Sequence, residues 1–305
     1  MLYCLFINFK KCLLMLGVLA IMFFIIFFSN SNYVVAQEAF IMWATKVVPS
    51  LFPFLICIDL LKRTPFLQLI SKLLTPIMKP IFNVPGCGAF ALSMGLASGY
   101  PTGAKLTSEL YIDKKCSKSE AERLLAFTNT SGPLFIIGTC GIGMFGSSQI
   151  GSLLLISHIL GAITVGILFR KYHSEINPNG IIPQKLEEIN TSETLNSKNL
   201  GKYVGFAIQN SFSTLILIGG YIIFFAIISN ILIETGIITA ISRFISLLLG
   251  SNNLYVKYIE SLICGLLEVT NGISMISALG TSAFTICLSA FVLRIWRVIN
   301  TYANM

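Results

Sequence analysis

The chain has 305 residues, of which 55% are hydrophobic and only 11% charged, and its mean hydropathy is +0.81. A soluble domain carries about 25% charged residues and cannot bury this much apolar side chain in one core, so an ordinary soluble enzyme is excluded. The net charge of +8 does not indicate a nucleic-acid partner, because the basic residues stand between long apolar runs, as in loops at an anionic membrane surface. The composition therefore predicts an integral membrane protein.

Eight cysteines are present, an even number that by count alone suits a disulfide framework. No Cys-x-x-Cys pair and no Cys/His cluster occurs, and most cysteines, such as Cys57, Cys140 and Cys264, lie inside apolar runs. We interpret them as small buried hydrophobic residues and expect neither a metal nor a cofactor.

Uncharged or nearly uncharged apolar runs predict the membrane crossings. The first covers residues 12–28; residues 34–36 also suit a signal-peptide cleavage site, but the run is longer than a usual signal sequence. Residues 39–61 form the next run. Pro49 and Pro53 interrupt it, which a membrane helix tolerates only where protein or water satisfies the freed carbonyls. The remaining runs are residues 124–169, long enough for two crossings, 203–233 and 269–293.

Basic residues are concentrated on one side of these crossings. They are Lys10, Lys11, nine Lys and Arg from Lys62 to Arg123, Arg170 and Lys171. The turns at residues 30–37 and 146–149 carry no charge and belong to the other side. The positive-inside rule therefore places the N-terminus in the cytoplasm, together with the polar stretch at residues 171–202, which is typical of a linker between two halves.

The two halves on either side of this linker resemble each other weakly. In the first, a Pro-containing helix start at residues 47–52 is followed by a Gly-rich polar segment at residues 95–103. In the second, a polar break at residues 209–212 is followed at a comparable distance by residues 265–272. By the predicted sidedness the first helix runs inward and the second outward, so the repeats are inverted; chance similarity between apolar sequences is the alternative. Inverted repeats with interrupted helices are typical of transporters that hold a substrate near the membrane midplane.

Residues 80–104 are uncharged between their flanking lysines but too rich in Gly, Pro and Ser for a plain crossing, which favours a re-entrant hairpin. At its tip, Ser98, Tyr100 and Thr102 offer hydroxyl groups to a substrate, beside exposed backbone N–H groups. Lys105 follows and can attract an anionic substrate. The alternative, which the sequence supports equally, is that Lys105 only extends its charged end to the membrane interface.

Two overlapping Ser-x-x-Glu capping boxes at residues 117–122 predict a helix start. Inside the apolar run that follows, Asn129, Thr130 and Ser131 precede a Gly-Pro pair. This pattern favours an unwound helix, with a proline kink packed on its neighbours as the alternative. Freed amides and the N-terminus of the following half-helix suit an anion or a polar ligand.

The second half has a matching polar centre in Glu268, Thr270 and Asn271. A carboxylate at membrane depth is costly and is a functional candidate by default, here as a coupling site for H⁺ or Na⁺. His158 stands alone on an apolar helix, and a hydrogen bond between helices is favoured over proton coupling.

The sequence contains no GxxxxGK[ST], HExxH or GxSxG motif, so no nucleotide-driven motor, membrane protease or hydrolase is indicated. No acid–base or nucleophile–base arrangement indicates an enzyme.

A series of motifs occurs in order at residues 49–54, 98–105, 119–127, 129–138 and 141–146. They resemble those of the YlbJ-type sporulation integral membrane proteins, which contain the nucleoside-recognition Gate domain, over residues 40–293. The resemblance implies an all-α polytopic membrane fold with inverted repeats, related to nucleoside transporters and ferrous-iron transport proteins. It also implies movement of dipicolinic acid, a small dianion, across the outer forespore membrane of a sporulating bacterium.

The chain departs from this family after residue 293, where family members continue with a Gly-Phe-Gly-Gly-like break. One possible set of codons for residues 294–298 encodes Gly-Phe-Gly-Gly when the reading frame is shifted by one nucleotide. We hypothesise that the tail is out of frame and that the broken helix of the second repeat is missing. The predicted organisation is an N-terminal helix and outside loop (1–38), a first Gate-like repeat (39–170), a cytoplasmic linker (171–202), an incomplete second repeat (203–293) and an aberrant tail (294–305).

Together these features predict a membrane transporter of a small organic anion, with the lipid bilayer and the anion as its partners and homo-oligomerisation left open. The predicted substrate-binding residues are Ser98, Tyr100, Thr102, Lys105, Asn129, Thr130, Ser131, Glu268, Thr270 and Asn271. The alternatives are a nucleoside or nucleobase carrier and a non-transporting membrane protein that assembles the spore envelope.

Overall fold

The computed structural model describes residues 2–64, 66–99, 101–173, 200–249 and 254–303, and every regular element within these ranges is helical. The first half holds α1 (Leu2–Phe27), α2 (Ser29–Met42), α3 (Val48–Leu61), α4 (Phe66–Ile77), α5 (Gly88–Ser98), α6 (Thr102–Ile112), α7 (Lys118–Thr128) and α8 (Ser148–Leu168). The second half holds α9 (Leu200–Glu234), α10 (Ile237–Leu248), α11 (Leu254–Leu267), α12 (Val269–Ala278) and α13 (Ala283–Ala303). π-Helical segments occupy Trp43–Val47, Met78–Phe82 and Phe135–Met144. Most of the predicted linker lies outside the described residues.

Three helical stretches are long and apolar enough to cross a membrane by length and composition: Ser29–Leu61, Ser148–Lys171 and Leu200–Glu234. Many of their large apolar side chains are exposed on the outside of the bundle, among them Leu153, Ile156 and Leu217. Side chains of this kind suit contact with lipid, because a helix exposed to hydrocarbon needs no polar outer face. The predicted all-α membrane class is confirmed.

The two longest stretches, Ser29–Leu61 and α9, lie side by side and antiparallel. At one end of the pair, Ser31 Oγ donates a hydrogen bond to Glu234 Oε1 at 2.9 Å. At the other end, the Arg63 guanidinium lies 5.1 Å from the ring centroid of Tyr203. Between these contacts, α2 and α3 both pack along α9. The start of one long stretch therefore meets the end of the other.

The elements follow the same order in the two halves: a long helical stretch, an amphipathic helix, a helical hairpin and a further helix. The amphipathic helices are α4 and α10, and the hairpins are α5–α6 and α11–α12. The arms of each hairpin meet at a glycine pair, Gly95 with Gly103 and Gly265 with Gly272, where a Cβ would crowd the opposite backbone. The shared order supports an inverted repeat, which stays a prediction.

Helix α3 continues directly from the first π-helical segment, with Pro49 in its first turn, and the backbone there is bonded within the protein, as predicted. Ser50 Oγ hydrogen-bonds to the Lys46 carbonyl at 2.8 Å and to the hydroxyl of Thr139 at 2.7 Å. Thr139 belongs to the π-helix Phe135–Met144, so the two irregular segments support each other where they pack.

The predicted outside loop at residues 30–37 is instead helical, because α2 begins at Ser29. No Gly or Pro lies between Gly17 and Pro49 to end the helix. The side-chain amide of Asn32 donates to the carbonyls of Phe24 and Ile25, at 3.4 and 3.2 Å, where α1 passes into α2. The sequence contains polar residues at this point but no residue that would end a helix.

Two further predictions about the second half are wrong. The polar break at residues 209–212 is absent, since α9 is continuous and its hydroxyls bond to backbone carbonyls one turn earlier, as Ser213 does to Gln209. The run 269–293 is not one crossing, because residues 279–282 separate α12 from α13 and Gly280 has a φ of +119°. Helix α13 then continues across residue 294 to Ala303, and the out-of-frame tail stays a hypothesis.

Candidate functional site

The predicted unwound segment is present between α7 and the π-helix Phe135–Met144. Helix α7 begins at the Ser117 cap, where the Glu120 side chain and the Ser117 hydroxyl bond each other's backbone N–H, as the sequence predicted. It ends at Thr128, and residues 129–132 are not helical. Thr128, Asn129 and Thr130 are fully buried. Most of the irregular segment is therefore covered by protein, as a membrane interior requires.

Hairpin α5–α6 holds this segment in place. Thr130 Oγ1 donates to the Gly95 carbonyl at 3.1 Å, and the hydroxyls of Thr107 and Thr128 lie 3.3 Å apart. A Cβ at Gly95 or at Gly103 would collide with the Thr128 carbonyl oxygen, so only glycine permits this approach. The sequence predicts a hairpin within residues 80–104. The observed hairpin is shifted along the chain, because its second arm, α6, extends to Ile112, and it packs directly against the predicted helix break.

Three side chains at this contact have buried polar atoms without a hydrogen-bond partner among the described residues. They are both amide atoms of Asn129 and the hydroxyls of Ser131 and Ser98. An unsatisfied buried polar group costs about 1–3 kcal/mol, and such groups are rare unless they have a functional role. These atoms can therefore bond to a polar ligand without breaking any bond within the described part of the protein.

His158 on α8 fixes the far side of the segment. Its Nε2 accepts a hydrogen bond from the Ser131 backbone N–H at 3.1 Å, and the imidazole is 2% exposed. An accepting Nε2 carries no proton, so in this arrangement the ring is held in one neutral tautomer. The hydrogen bond between helices that the sequence favoured is present, and proton coupling by His158 is not needed to explain the residue.

The remaining first-half residues differ in their surroundings. Ser98 ends α5, and Gly99 follows with a φ of +78°, which turns the chain toward the second arm. Thr102 begins α6 and is half-buried, whereas Lys105 is exposed one turn further on. Tyr100 lies outside the described residues.

Lys62 is a neighbour of Lys105 that the sequence reasoning did not single out. Leu61 and Leu106 pack on the same buried pair, Phe90 and Met94, which brings the end of α3 near the first half of α6. Burial lowers the pKa of Lys62, the Asp59 carboxylate raises it, and the positive charge of Lys105 lowers it again. Lys62, at the end of α3, is thus a neighbour of Lys105 on the hairpin, and only their positions in space, not the spacing in the chain, reveal the pair.

In the second polar centre, formed by Glu268, Thr270 and Asn271, the Glu268 side chain caps the N-terminus of α12. Glu268 stands between α11 and α12, and its carboxylate accepts the backbone N–H groups of Thr270 at 2.9 Å and Asn271 at 2.7 Å. The side-chain amide of Asn271 donates to the Ile222 carbonyl of α9 at 2.9 Å. An acidic cap at a helix N-terminus stabilises the helix, so the buried carboxylate has a structural task whether or not it binds a ligand.

The two centres lie in one bundle but do not touch directly. Helix α12 packs against the π-helix Phe135–Met144, and Val269 and Ile273 share an apolar cluster with Ile136 and Cys140. Among the described residues, no hydrogen bond joins Glu268, Thr270 or Asn271 to the unwound segment. The ten predicted site residues therefore form two groups, connected through the helix that follows the break.

Metal-binding side chains do not converge in the described part of the chain, where no three His, Cys, Asp or Glu residues could share an ion. The cysteines from Cys12 to Cys287 are free thiols. Burial raises the pKa of Cys116 to about 12, and that thiol stays protonated at neutral pH.

Comparison with known proteins agrees with this architecture. Residues 44–148 match the Gate family, described as nucleoside recognition, and this range contains hairpin α5–α6 and the whole unwound segment. The fold and the match define a helical membrane protein with a Gate domain. The similarity to the Gate family holds over this range of the chain.

A curated relative gives a more specific similarity. The chain is 35% identical, over 257 residues, to the sporulation integral membrane protein YlbJ of Bacillus subtilis (strain 168). The alignment covers 81% of this chain and 63% of the relative, so the chain spans somewhat less than two thirds of that protein. No solved structure matches.

The crowded lysine pair makes a prediction about stability. Replacing Lys62 with Gln removes a half-buried charge and its repulsion from Lys105, so we expect the midpoint of thermal unfolding in detergent at pH 7 to rise by roughly 2–4 °C. The gain should shrink as the pH rises through the lowered pKa of Lys62, because the wild-type lysine then loses its charge.

The matched control is Lys72→Gln on α4, where the lysine is exposed. This variant should unfold at the wild-type temperature. A Lys62→Gln effect that is independent of pH, or equal to that of the control, would contradict the assignment of a strained cation pair.

Proposed function

We propose that this chain is a membrane carrier of a small organic anion, dipicolinate, which it moves across the outer forespore membrane during sporulation. The similarity to a sporulation integral membrane protein supports the cellular setting. The Gate match over residues 44–148 supports recognition of a small heteroaromatic solute. The excess of basic residues on one side of the crossings supports an N-terminus in the cytoplasm.

The observation that carries the proposal is the set of unpartnered polar atoms at the helix break. The Asn129 amide N–H group and the hydroxyls of Ser98 and Ser131 can donate hydrogen bonds to the oxygens of a carboxylate. Helix resumes at Pro133, so the positive end of its dipole faces the same place. Donors and dipole together suit an anion, and the apolar surroundings strengthen both interactions.

The lysine pair gives the charge preference. Lys105 and Lys62 carry two positive charges beside the hairpin, and no carboxylate of the described residues forms an ion pair with either. A dianion gains more from this pair than a monoanion or a neutral solute does. The lysines therefore support a small dicarboxylate as substrate.

The second half contributes to the proposed mechanism through its antiparallel arrangement. The long stretches Ser29–Leu61 and α9 run in opposite directions, and each half has a glycine-crossed hairpin. These features support an inverted repeat, in which one half rocks against the other around a fixed site. Glu268 and Thr270 form the second-half side of that site, and Asn271 holds α12 in register with α9.

Uptake into liposomes tests the proposal. The purified 305-residue chain should take up labelled dipicolinate with saturation, and unlabelled dipicolinate should compete. The Gate description as nucleoside recognition favours a second candidate, a nucleoside or nucleobase carrier, in which uridine competes and dipicolinate does not. Absence of uptake of both solutes would favour a non-transporting protein that assembles the spore envelope.

Substitution of Asn129 tests the proposed binding site most directly. We expect Asn129→Ala to lower dipicolinate uptake at least about tenfold, because a charge-assisted hydrogen bond to the substrate is lost. The unfolding temperature of the substrate-free protein should not fall, since the side-chain amide bonds to no described residue.

The control for this variant is Asn210→Ala, at an exposed position on α9. It should leave both uptake and stability at wild-type values. A loss of stability in Asn129→Ala that parallels the loss of uptake would assign Asn129 a structural role.

Lys105 tests the electrostatic part of the proposal. Lys105→Ala should raise the KM for dipicolinate several-fold at low salt, about 0.01 M, and less at 0.15 M, because screening weakens the attraction of an exposed charge. Sporulating cells with this variant should accumulate less dipicolinate at an unchanged protein level. Normal accumulation, with Lys72→Ala as the comparison, would make Lys105 an interfacial anchor.

A further inference from the structure

A cleft of about 290 Å³ opens between α2, α9 and α12, away from the unwound segment. Glu38 stands at an exposed position on α2, and Asn271 lies 8% exposed at the start of α12. The cleft is lined by Val35, Glu38, Ala39, Met42, Ala226, Ser229, Asn230, Ile233, Asn271, Ser274 and Met275. It therefore lies between the antiparallel long stretches and beside the second-half hairpin.

A network of polar side chains closes one end of the cleft. Asn230 donates from its amide nitrogen to Ser31 Oγ at 3.0 Å and to Asn32 Oδ1 at 2.9 Å. Ser31 Oγ in turn donates to Glu234 Oε1 at 2.9 Å. These bonds join the start of α2 to the end of α9. The cleft wall is therefore held at a fixed spacing by bonds that do not involve Glu38.

The polar groups of the lining are mainly oxygen donors, and its one charged side chain is an acid. Glu38 supplies a carboxylate, and Ser229 and Ser274 supply hydroxyls, while no Lys, Arg or His from the described ranges lines the cleft. The Ser229 hydroxyl is buried beside the Cys264 thiol, and its oxygen keeps lone pairs that can face a ligand. The Asn271 amide nitrogen is engaged by the Ile222 carbonyl, so the amide oxygen is the atom that it retains for a ligand.

We propose that this cleft binds a sodium ion through Glu38, Asn271 and the serine hydroxyls. Hard cations prefer carboxylate, carbonyl and hydroxyl oxygens, and a single carboxylate balances a single positive charge. The cleft is large enough for the ion to keep part of its hydration shell. A lone acid facing oxygen dipoles repels the proposed anionic substrate, so this cleft and the lysine-flanked hairpin select ions of opposite charge.

Sodium at this place would join three elements. Glu38 belongs to α2, Ser229 to α9, and Asn271 to α12, whose first turn Glu268 caps. An ion that binds all three stabilises the arrangement in which they are close, and it favours that arrangement only by its differential affinity. The assignment of this ion to transport rests on the proposed function, whereas its binding does not.

Intrinsic fluorescence measures binding without transport. The chain has two tryptophans, and Trp43 follows the cleft residue Met42, with its indole N–H bonded to the Leu215 carbonyl at 3.0 Å. In Trp296→Phe protein in detergent, NaCl titrated against choline chloride at constant ionic strength should change Trp43 emission with saturation. Glu38→Gln should raise the apparent Kd for Na⁺ at least about tenfold. Glu109→Gln, at an exposed site on α6, should leave it unchanged.

The outcomes separate binding from transport. Saturation by Na⁺ that is lost in Glu38→Gln and weakened in Asn271→Ala supports the site even if liposomes take up no dipicolinate. A response to NaCl and choline chloride alike, or a Na⁺ response that survives in Glu38→Gln, would overturn it. If Glu38→Gln unfolds in detergent, Glu38→Asp provides the second measurement, with a weakened Kd expected and an unchanged one counting against the site.

Discussion

The contact between hairpin α5–α6 and the unwound segment is the constraint on which the site depends. Backbone that leaves a helix inside a membrane must find other partners, because lipid offers none. Here Thr130 bonds to the Gly95 carbonyl, and Gly95 and Gly103 let the hairpin reach the Thr128 carbonyl. The hairpin thus stabilises the non-helical backbone at the break. The break in turn leaves the Asn129 side-chain amide buried without a bond to the described residues.

The antiparallel pairing of the two long helical stretches joins the two halves of the chain. The contacts of Ser31 with Glu234 and of Arg63 with Tyr203 lie at opposite ends of the pair. A long helix held at both ends can pivot only together with its partner, which suits motion of one half against the other. The proposed sodium cleft lies along this pair, and the lysine pair begins where the first stretch ends.

Local sequence signals predicted the parts of the fold that they determine directly. The capping box at Ser117, the break before Pro133 and the glycine-rich hairpin are encoded in a few adjacent residues, and each is present. The helical start at Ser29, the continuity of α9 and the interruption at Gly280 were missed, because polar residues alone do not decide whether a membrane helix ends. The Lys62–Lys105 pair and the cleft could not be predicted, since tertiary packing creates both.

The places where function is proposed carry buried polar or charged groups that lower the stability of the fold. Asn129 and Ser131 keep buried polar atoms unsatisfied, and Lys62 keeps a charge near Lys105, although apolar residues at these positions would be less costly. Glu268 is the contrasting case, because its buried carboxylate is bonded twice to the start of α12. A buried polar group that forms all its hydrogen bonds within the protein has a structural role that accounts for its presence. The groups left incomplete are therefore the better guide to where a ligand binds.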